Sequence, residues 1–323
     1  MARDGPRALR PREAPVIRLG TRASALARAQ AELVAAALRR DGHAVELVPM
    51  RTEGDRLPAA RLADVGGKGL FVREIEQALA AGRVDLAVHS LKDLPADSPP
   101  GLVLVAYLPR EDPRDVLVSR APGGLAALPA GAVVGTSSLR RRALLGALRP
   151  DLVVVPLRGN VDTRLRKLAA GEVDALLLAA AGLRRLGLDP PHADPLPVDV
   201  VVPAAGQGIV VVEARADDVR AQGLAARLDD PVSRACALAE RACLRRLGAS
   251  CTTPVAAHAR LVDGRLAMVG VLAGEDGRRV LRVEATADPA EAEGLGRRVA
   301  ESLLAAGGAE LAARAGAGRE AAP

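Results

Sequence analysis

The chain has 323 residues, of which 49% are hydrophobic and 26% charged, and its net charge is +6. It contains one phenylalanine, one tyrosine and no tryptophan, so its core must be aliphatic and it lacks the usual stacking platform for single-stranded nucleic acid. No apolar run is long enough to span a bilayer, so we expect no membrane partner. The length allows two or three domains, and the positive charge is compatible with an anionic small molecule or with nucleic acid.

The two ends of the chain and its cysteines indicate where the protein acts. Residues 1–14 contain basic residues but no apolar segment, so they predict a disordered basic arm and not a secretory signal. Residues 316–323 predict a frayed tail. The odd number of cysteines (Cys236, Cys243 and Cys251) argues against a disulfide framework, and the scattered histidines predict no metal site. We therefore expect a cytoplasmic protein.

Strand and helix patterns alternate from about residue 15. Ser24 can cap a helix that extends to Arg40, and a second helix is predicted from Phe71 to Ala81, closed by Gly82. Short apolar runs predict strands at 16–19, 44–49, 84–89, 116–119, 132–138, 152–157 and 173–179. Nearly continuous Val/Leu/Ala strands that alternate with helices are typical of a parallel sheet covered on both faces. This part of the chain therefore predicts α/β architecture.

The pattern changes after about residue 230. Asp230-Pro231 predicts the start of a long helix, which extends to about Leu247. Asp-Gly pairs at 263–264 and 276–277 predict hairpins between three strands, and a last helix is predicted over about 290–305. We expect a separate α+β domain with a three-stranded antiparallel sheet. Cys236 and Cys243 lie on the long helix and are interpreted as core residues.

The stretch GGKGLFVREIEQALAAGRVDLAVHSLKDLP, residues 66–95, holds two of the three lysines, Lys68 and Lys92, and the only phenylalanine, Phe71. The chain has 42 arginines and only three lysines. A lysine in this stretch therefore indicates that its compact ammonium group has a use that an arginine would not serve. Lys92 is followed by Asp93 directly after an apolar strand, which predicts a reactive site. The alternative is that Asp93 only pairs with Lys92 or caps a turn.

Polar residues follow four of the predicted strands, at the ends where open α/β sheets bind their ligands. These segments are Thr21–Ser24, His89–Asp93, Gly135–Arg142 and Leu157–Arg164. Their hydroxyl groups, helix N-termini and arginines suit an anion with several carboxylates or phosphates. Each residue alone has a simpler interpretation: Ser24 and Ser138 as helix caps, His89 as a core residue, and the arginines as solvated side chains.

Cys251 differs from the other two cysteines because it lies in a polar loop, LGASCTTP, beyond the end of the long helix. A loop cysteine near basic residues can act as a nucleophile or as an attachment point, and it can equally be inert.

Taken together, these motifs resemble the hydroxymethylbilane synthase family, also called the porphobilinogen deaminase family. The resemblance is carried in order by TRASALARAQ (21–30), GGKGLFVREIEQAL (66–79), DLAVHSLKDLP (85–95), REDPRDVLVS (110–119), VGTSSLRRRALL (134–145) and LRGNVDTRLRKL (157–168). Shorter matches at 179–188, 206–208 and 239–241 extend it over nearly the whole chain.

The resemblance implies a transferase that condenses four porphobilinogen molecules head to tail with loss of ammonia, then releases hydroxymethylbilane by hydrolysis, in tetrapyrrole biosynthesis. It implies a dipyrromethane cofactor attached covalently through Cys251 and a catalytic carboxylate at Asp93. The cofactor-binding residues it implies are Lys92, Thr136, Ser138, Arg140, Arg141 and Arg164. The substrate-binding residues are Arg22, Ser24, Arg158, Arg185 and Gln207, and the lid residues are Lys68 and Phe71.

The same resemblance implies two lobes like those of periplasmic solute-binding proteins, with a third domain that carries the cofactor cysteine. We expect lobe 1 over 15–108 and about 209–227, lobe 2 over 109–208, and the cofactor-attachment domain over 229–315. We also expect a monomer whose partner is porphobilinogen and not nucleic acid.

The chain departs from the family pattern at three places: Ala249-Ser250 precede Cys251, Asp64 replaces a loop lysine, and Ala204-Ala205 precede Gly206. A non-catalytic protein that binds anionic solutes on the same two lobes is the main alternative. A nucleic-acid-binding protein is a further one, and it rests only on the basic charge.

Overall fold

The computed structural model describes residues 16–52, 72–249 and 253–311. Over these ranges the chain forms two five-stranded sheets and one three-stranded sheet. The predicted arm and tail lie outside the described residues, as do Lys68, Phe71 and Cys251.

The first lobe is built on a mixed sheet. Its strands are β1 (Ile17–Arg22), β2 (Val45–Met50), β3 (Leu86–Ser90), β4 (Leu102–Tyr107) and β10 (Val210–Arg215), in the order β2-β1-β3-β10-β4. Its helices are α1 (Ala25–Arg40), α2 (Arg73–Ala80) and α7 (Val219–Ala226). Strand β1 is parallel to β2 and β3, but β10 is antiparallel to β3 and β4. The parallel pairing expected from the sequence holds for β1, β2 and β3. Strand β10 runs the other way because it begins opposite Ser90, where β3 ends.

The second lobe repeats this mixed design. Its strands are β5 (Asp115–Ser119), β6 (Val133–Gly135), β7 (Val153–Val155), β8 (Ala175–Ala179) and β9 (Ala193–Pro195), in the order β7-β6-β8-β5-β9. Its helices are α3 (Gly124–Ala127), α4 (Leu139–Leu148), α5 (Val161–Ala169) and α6 (Ala180–Arg185). Strand β6 is parallel to β7 and β8, whereas β5 is antiparallel to β8 and β9.

The third domain confirms the predicted α+β unit. Its elements are α8 (Pro231–Leu247), β11 (Val255–Val262), β12 (Arg265–Ala273), β13 (Val280–Ala287) and α9 (Ala292–Leu303). The three strands form an antiparallel sheet in sequence order. Cys236 and Cys243 are buried between α8 and this sheet, as predicted. The two-lobed α/β fold with a C-terminal α+β domain is therefore confirmed.

Local sequence signals located the helix starts correctly. Ser24 caps α1 because its Oγ accepts a hydrogen bond from the Ala27 amide at 3.3 Å, and Asp230 caps α8 in the same way. No helix in the part of the chain that the structure describes is long and apolar enough to cross a membrane.

A buried ion pair between Arg110 and Glu240 lies where the two lobes meet the third domain. Arg110 Nη1 is 2.6 Å from Glu240 Oε1, and the fully buried Glu240 also accepts from the Gly206 and Ala259 amides at 2.6 and 2.7 Å. Arg110 and Gly206 belong to the two segments that connect the lobes. One carboxylate thus joins both connecting segments to the third domain.

A second contact joins the third domain to the second lobe. The β12–β13 hairpin approaches α4 so closely that a Cβ atom on Gly277 would lie 2.5 Å from the Ala143 carbonyl oxygen and 2.9 Å from the Ala147 nitrogen. Backbone therefore meets backbone at this point, which only glycine allows.

Candidate active site

The strongest candidate site begins where β3 ends. A short 3₁₀ turn, Leu91–Asp93, follows the strand directly. Leu91 is buried and its amide donates to the Ile209 carbonyl at 3.0 Å, which anchors the turn to the returning chain. Lys92 and Asp93 are exposed at its tip, although protein atoms packed around the Lys92 ammonium group exclude much of the water near it. The Asp93 carboxylate accepts no hydrogen bond from any residue in the described ranges.

Arg140 and Arg141 converge on a fully buried carboxylate, Asp115, on the second lobe. Arg140 Nη1 and Arg141 Nη2 each lie 2.7 Å from an Asp115 oxygen, and Gln207 Nε2 donates to the same carboxylate at 2.9 Å. Burial on its own would raise the pKa of Asp115, but the two guanidinium groups hold it well below its usual range. The cluster carries one net positive charge. The sequence argument missed Asp115.

Each of the two arginines also donates to a backbone carbonyl: Arg140 to Val202 O at 2.7 Å and Arg141 to Leu177 O at 2.8 Å. Burial lowers the pKa of Arg140. Its Nε atom is buried without a hydrogen-bond partner. Arg142 is exposed, in agreement with the argument that three consecutive helical residues cannot share one surface.

Lys92 connects the 3₁₀ turn to this cluster. Its Nζ donates to Gln207 Oε1 at 3.4 Å, and Gln207 Nε2 reaches Asp115. Desolvation in the cleft lowers the pKa of Lys92 to about 8; Arg141 and Arg140 add to this fall, whereas Asp93 and Asp115 oppose it. Lys92 can therefore change its charge close to neutral pH.

Arg158 and Arg164 complete the cationic side of the cleft. Arg164 Nε donates to the Gly159 carbonyl at 2.8 Å. Its pKa is lowered, first by desolvation and then by the like charges of Arg141 and Arg158, while Asp93 raises it. Arg158 is half-buried and makes no hydrogen bond to a described residue. The structure therefore brings Asp93 of the first lobe close to the cations of the second.

The contacts of the remaining predicted site residues are with groups other than Asp93. Arg185 Nη2 donates to the Gly208 carbonyl at 2.6 Å, and desolvation lowers its pKa. Ser138 caps α4 by accepting from the Arg141 amide at 3.4 Å, and the Ser138 amide donates to Thr136 Oγ1 at 3.3 Å. Ser24 is the α1 cap already described, and Arg22 is half-buried beside it at the end of β1. Ser24 and Ser138 are thus helix caps, and because a capping hydroxyl accepts through its oxygen, its hydrogen stays available to donate to a ligand.

His89 is a core residue, as the simpler interpretation held. It is buried, and its Nε2 lies 3.2 Å from Glu213 Oε2 on the neighbouring strand β10.

The fold and the site define an anion-binding protein of two α/β lobes, in which an open carboxylate on one lobe faces cations on the other. Family models narrow this class. The model for porphobilinogen deaminase, dipyromethane cofactor binding domain, matches residues 17–223, and the model for its C-terminal domain matches residues 234–305. The chain belongs to the porphobilinogen deaminase family.

Curated relatives agree with this membership. A porphobilinogen deaminase of Roseiflexus castenholzii is 52% identical over 91% of this chain and 98% of its own length. One of Ralstonia nicotianae is 52% identical over 93% of this chain and 91% of its own. A periplasmic substrate-binding protein of an ABC transporter from Coxiella burnetii is a distant structural match, with a TM-score of 0.41 and 18% identity over 66% of this chain and 91% of that one.

Family membership confirms three predictions: a deaminating transferase, tetrapyrrole biosynthesis, and a dipyrromethane cofactor. It also favours the enzyme over the non-catalytic binding protein.

The residues around Asp93 fit a cofactor of this kind. Each pyrrole ring of a dipyrromethane carries carboxylate side chains, which need cationic donors. Lys92 and Arg164 lie close enough to feel the charge of Asp93, and Arg158 lies close enough to feel that of Arg164. None of the three cations forms an ion pair with a carboxylate within the described ranges, and the buried Arg140 Nε has an unused donor. The site therefore has an excess of donors over protein acceptors, as a polycarboxylate requires.

Proposed function

We propose that Asp93 is the catalytic carboxylate for the head-to-tail condensation of porphobilinogen and that Cys251 attaches the dipyrromethane cofactor. The observation that carries the first assignment is the position of Asp93: it is exposed at the end of β3, free of hydrogen bonds to described residues, and close to Lys92 and Arg164. A carboxylate with open lone pairs beside bound cations can act on a substrate that enters between them.

The chemistry of the substrate explains the need for a carboxylate. Loss of ammonia from the aminomethyl group of porphobilinogen leaves an electron-poor methylene-pyrrole cation. Asp93 stabilises that positive charge and carries protons between the pyrrole nitrogen and the leaving amine. The cofactor, when bound, supplies the pyrrole carbon to which the first substrate unit is joined.

The cations hold the carboxylates of the bound pyrroles. We assign cofactor binding to Lys92 and Arg164, with Thr136, Ser138, Arg140 and Arg141 behind them. Substrate binding is assigned to Arg158, Arg185, Arg22, Ser24 and Gln207. Arg140, Arg141 and Gln207 are hydrogen-bonded to Asp115. They therefore contribute to anion binding through the net positive charge and the rigidity of that cluster.

The rest of the proposal rests on family resemblance. Lys68 and Phe71 form a lid, and the domains keep the predicted limits of 15–108 with 209–227, 109–208, and 229–315. The protein acts as a cytoplasmic monomer on porphobilinogen and does not bind nucleic acid or membranes.

The test compares Asp93→Asn with Asp217→Asn, which removes an exposed carboxylate elsewhere on the first lobe. Asp93→Asn should lower kcat for tetrapyrrole formation by about 100-fold or more, which is the usual contribution of a positioned acid–base group, with an unchanged Tm. Asp217→Asn should keep full activity. Full activity of Asp93→Asn would contradict the assignment of Asp93 as the catalytic carboxylate.

Attachment is tested by intact mass. Protein from cells that make porphobilinogen should carry an addition equal to two pyrrole units, and Cys251→Ser should have the bare mass. An addition that persists in Cys251→Ser would move the attachment to another residue.

A further inference from the structure

The connection after Asp93 has few hydrogen bonds of its own. It leads from Leu94 to β4, and its prolines Pro95, Pro99 and Pro100 have no amide hydrogen to donate. Among described residues, the backbone of residues 95–98 takes part in hydrogen bonds with one side chain only, that of Arg241. The position of the segment beside the catalytic carboxylate therefore depends on that contact.

Arg241 lies on α8 of the third domain and reaches across to the first lobe. Its Nη1 donates to the Pro95 carbonyl at 2.8 Å and its Nη2 to the Ala96 carbonyl at 2.7 Å. The side chain is 6% exposed. The planar fork of a guanidinium matches two successive carbonyls, which a lysine ammonium cannot contact with the same fixed geometry.

This contact is costly for the protein to maintain. Arg241 forms no ion pair within the described ranges. Burial is the main cause of its lowered pKa, and the more distant charges of Tyr107, Asp97 and Glu213 oppose this fall. A buried cation without a paired carboxylate is unfavourable unless its donors are well satisfied, and here backbone carbonyls satisfy two of them. An apolar residue at this position would avoid that cost, so the contact indicates a role other than stability.

We propose that Arg241 is a positioning residue, which fixes the Asp93 carboxylate relative to the third domain by holding the carbonyls of Pro95 and Ala96. The inference rests on the proposed role of Asp93. Arg241 touches neither substrate nor cofactor and acts through the connection.

The experiment compares Arg241→Gln and Arg241→Lys with Arg245→Gln. Arg245 lies one turn further along α8, where it pairs with Glu293 at 3.1 Å on the surface and does not contact the connection. In Arg241→Gln, kcat should fall by about 10- to 100-fold, as expected for a misplaced reacting group, while KM changes by less than about twofold. Arg241→Lys should recover only part of kcat, and Arg245→Gln should resemble the parent.

Hydrogen exchange gives a readout that does not depend on activity. In Arg241→Gln, the Leu94 amide, which donates to the Leu91 carbonyl at 3.2 Å and borders the held segment, should exchange at least about tenfold faster, while amides of β3 and the third-domain sheet are unchanged. If Arg241→Gln fails to fold, Arg241→Lys supplies the same comparison.

The outcomes separate the two proposals. Unchanged exchange at Leu94, or an unchanged kcat with faster exchange, would overturn the positioning role. Equally fast exchange throughout the protein would show that Arg241 only stabilises the fold, which also overturns it. An Asp93→Asn variant with full activity would instead overturn the proposed function, and the exchange data would still report on the contact.

Discussion

Asp115 changes how the consecutive arginines Arg140 and Arg141 can act. Both side chains are at least nine-tenths buried and hydrogen-bonded to its carboxylate. They therefore give the cleft the net positive charge of the cluster but have few donors left for a ligand. The sequence predicted the arginines because they follow a strand end. It could not predict their partner, because Asp115 lies 25 and 26 positions away and meets them only after β5 and α4 have packed.

Lys92 should titrate close to neutral pH in protein prepared without the cofactor. Competitive acetylation read by mass spectrometry can follow it, since the chain has only three lysines. Half-maximal reactivity is expected at about pH 8. Because its usual pKa is 10.5, the folded state binds fewer protons than the unfolded state between these values, and the contribution of this group to stability increases with pH there.

The Asp93 carboxylate opposes this fall, so Asp93→Asn should move the midpoint of Lys92 to lower pH. Lys167, which is paired with Glu172 on the surface, is the internal control. A midpoint near 10.5 in the parent, or no movement in Asp93→Asn, would contradict the electrostatic description of the cleft.

At the scale of elements, the sequence located turns and caps well because their signals are local. Ser24, Asp230 and the two Asp-Gly pairs act within a few residues of themselves. Strands β4, β9 and β10 were not predicted, and the sheets are mixed where parallel ones were expected. The direction of a strand and its neighbours in the sheet depend on the path of the chain before it. The apolar run of β10 does not encode that path, so neither property could be predicted from it.

The two hairpins of the third domain should respond differently to the same substitution. Gly264 and Gly277 have φ angles of +76° and +71°, so alanine at either position adopts a strained backbone. A Cβ on Gly264 meets nothing within 4 Å, whereas one on Gly277 meets α4. Urea unfolding should show a loss of about 1 kcal/mol for Gly264→Ala and a further 1–3 kcal/mol, roughly, for Gly277→Ala. Equal losses would mean that the hairpin does not hold its close approach to α4.

At the scale of the whole molecule, the Arg110–Glu240 pair should control how firmly the third domain joins the lobes. Glu240→Gln keeps the shape but leaves Arg110 buried without a counter-ion, and it turns an amide donor toward the Gly206 or Ala259 amide. The free energy of unfolding in urea should fall by about 3–5 kcal/mol. Glu293→Gln, which removes an exposed pair, should cost less than about 1 kcal/mol. Similar losses in the two variants would contradict this role of Glu240.

The central place of β10 also sets an order for folding during synthesis. Strand β4 borders the first sheet only through β10, so it has no sheet neighbour among the described strands until residue 215 has left the ribosome. All five strands of the second sheet lie before residue 196. The second lobe can therefore complete its sheet before the first lobe does. The sheet of the first lobe, which carries Asp93, stays incomplete until β10 has been synthesised.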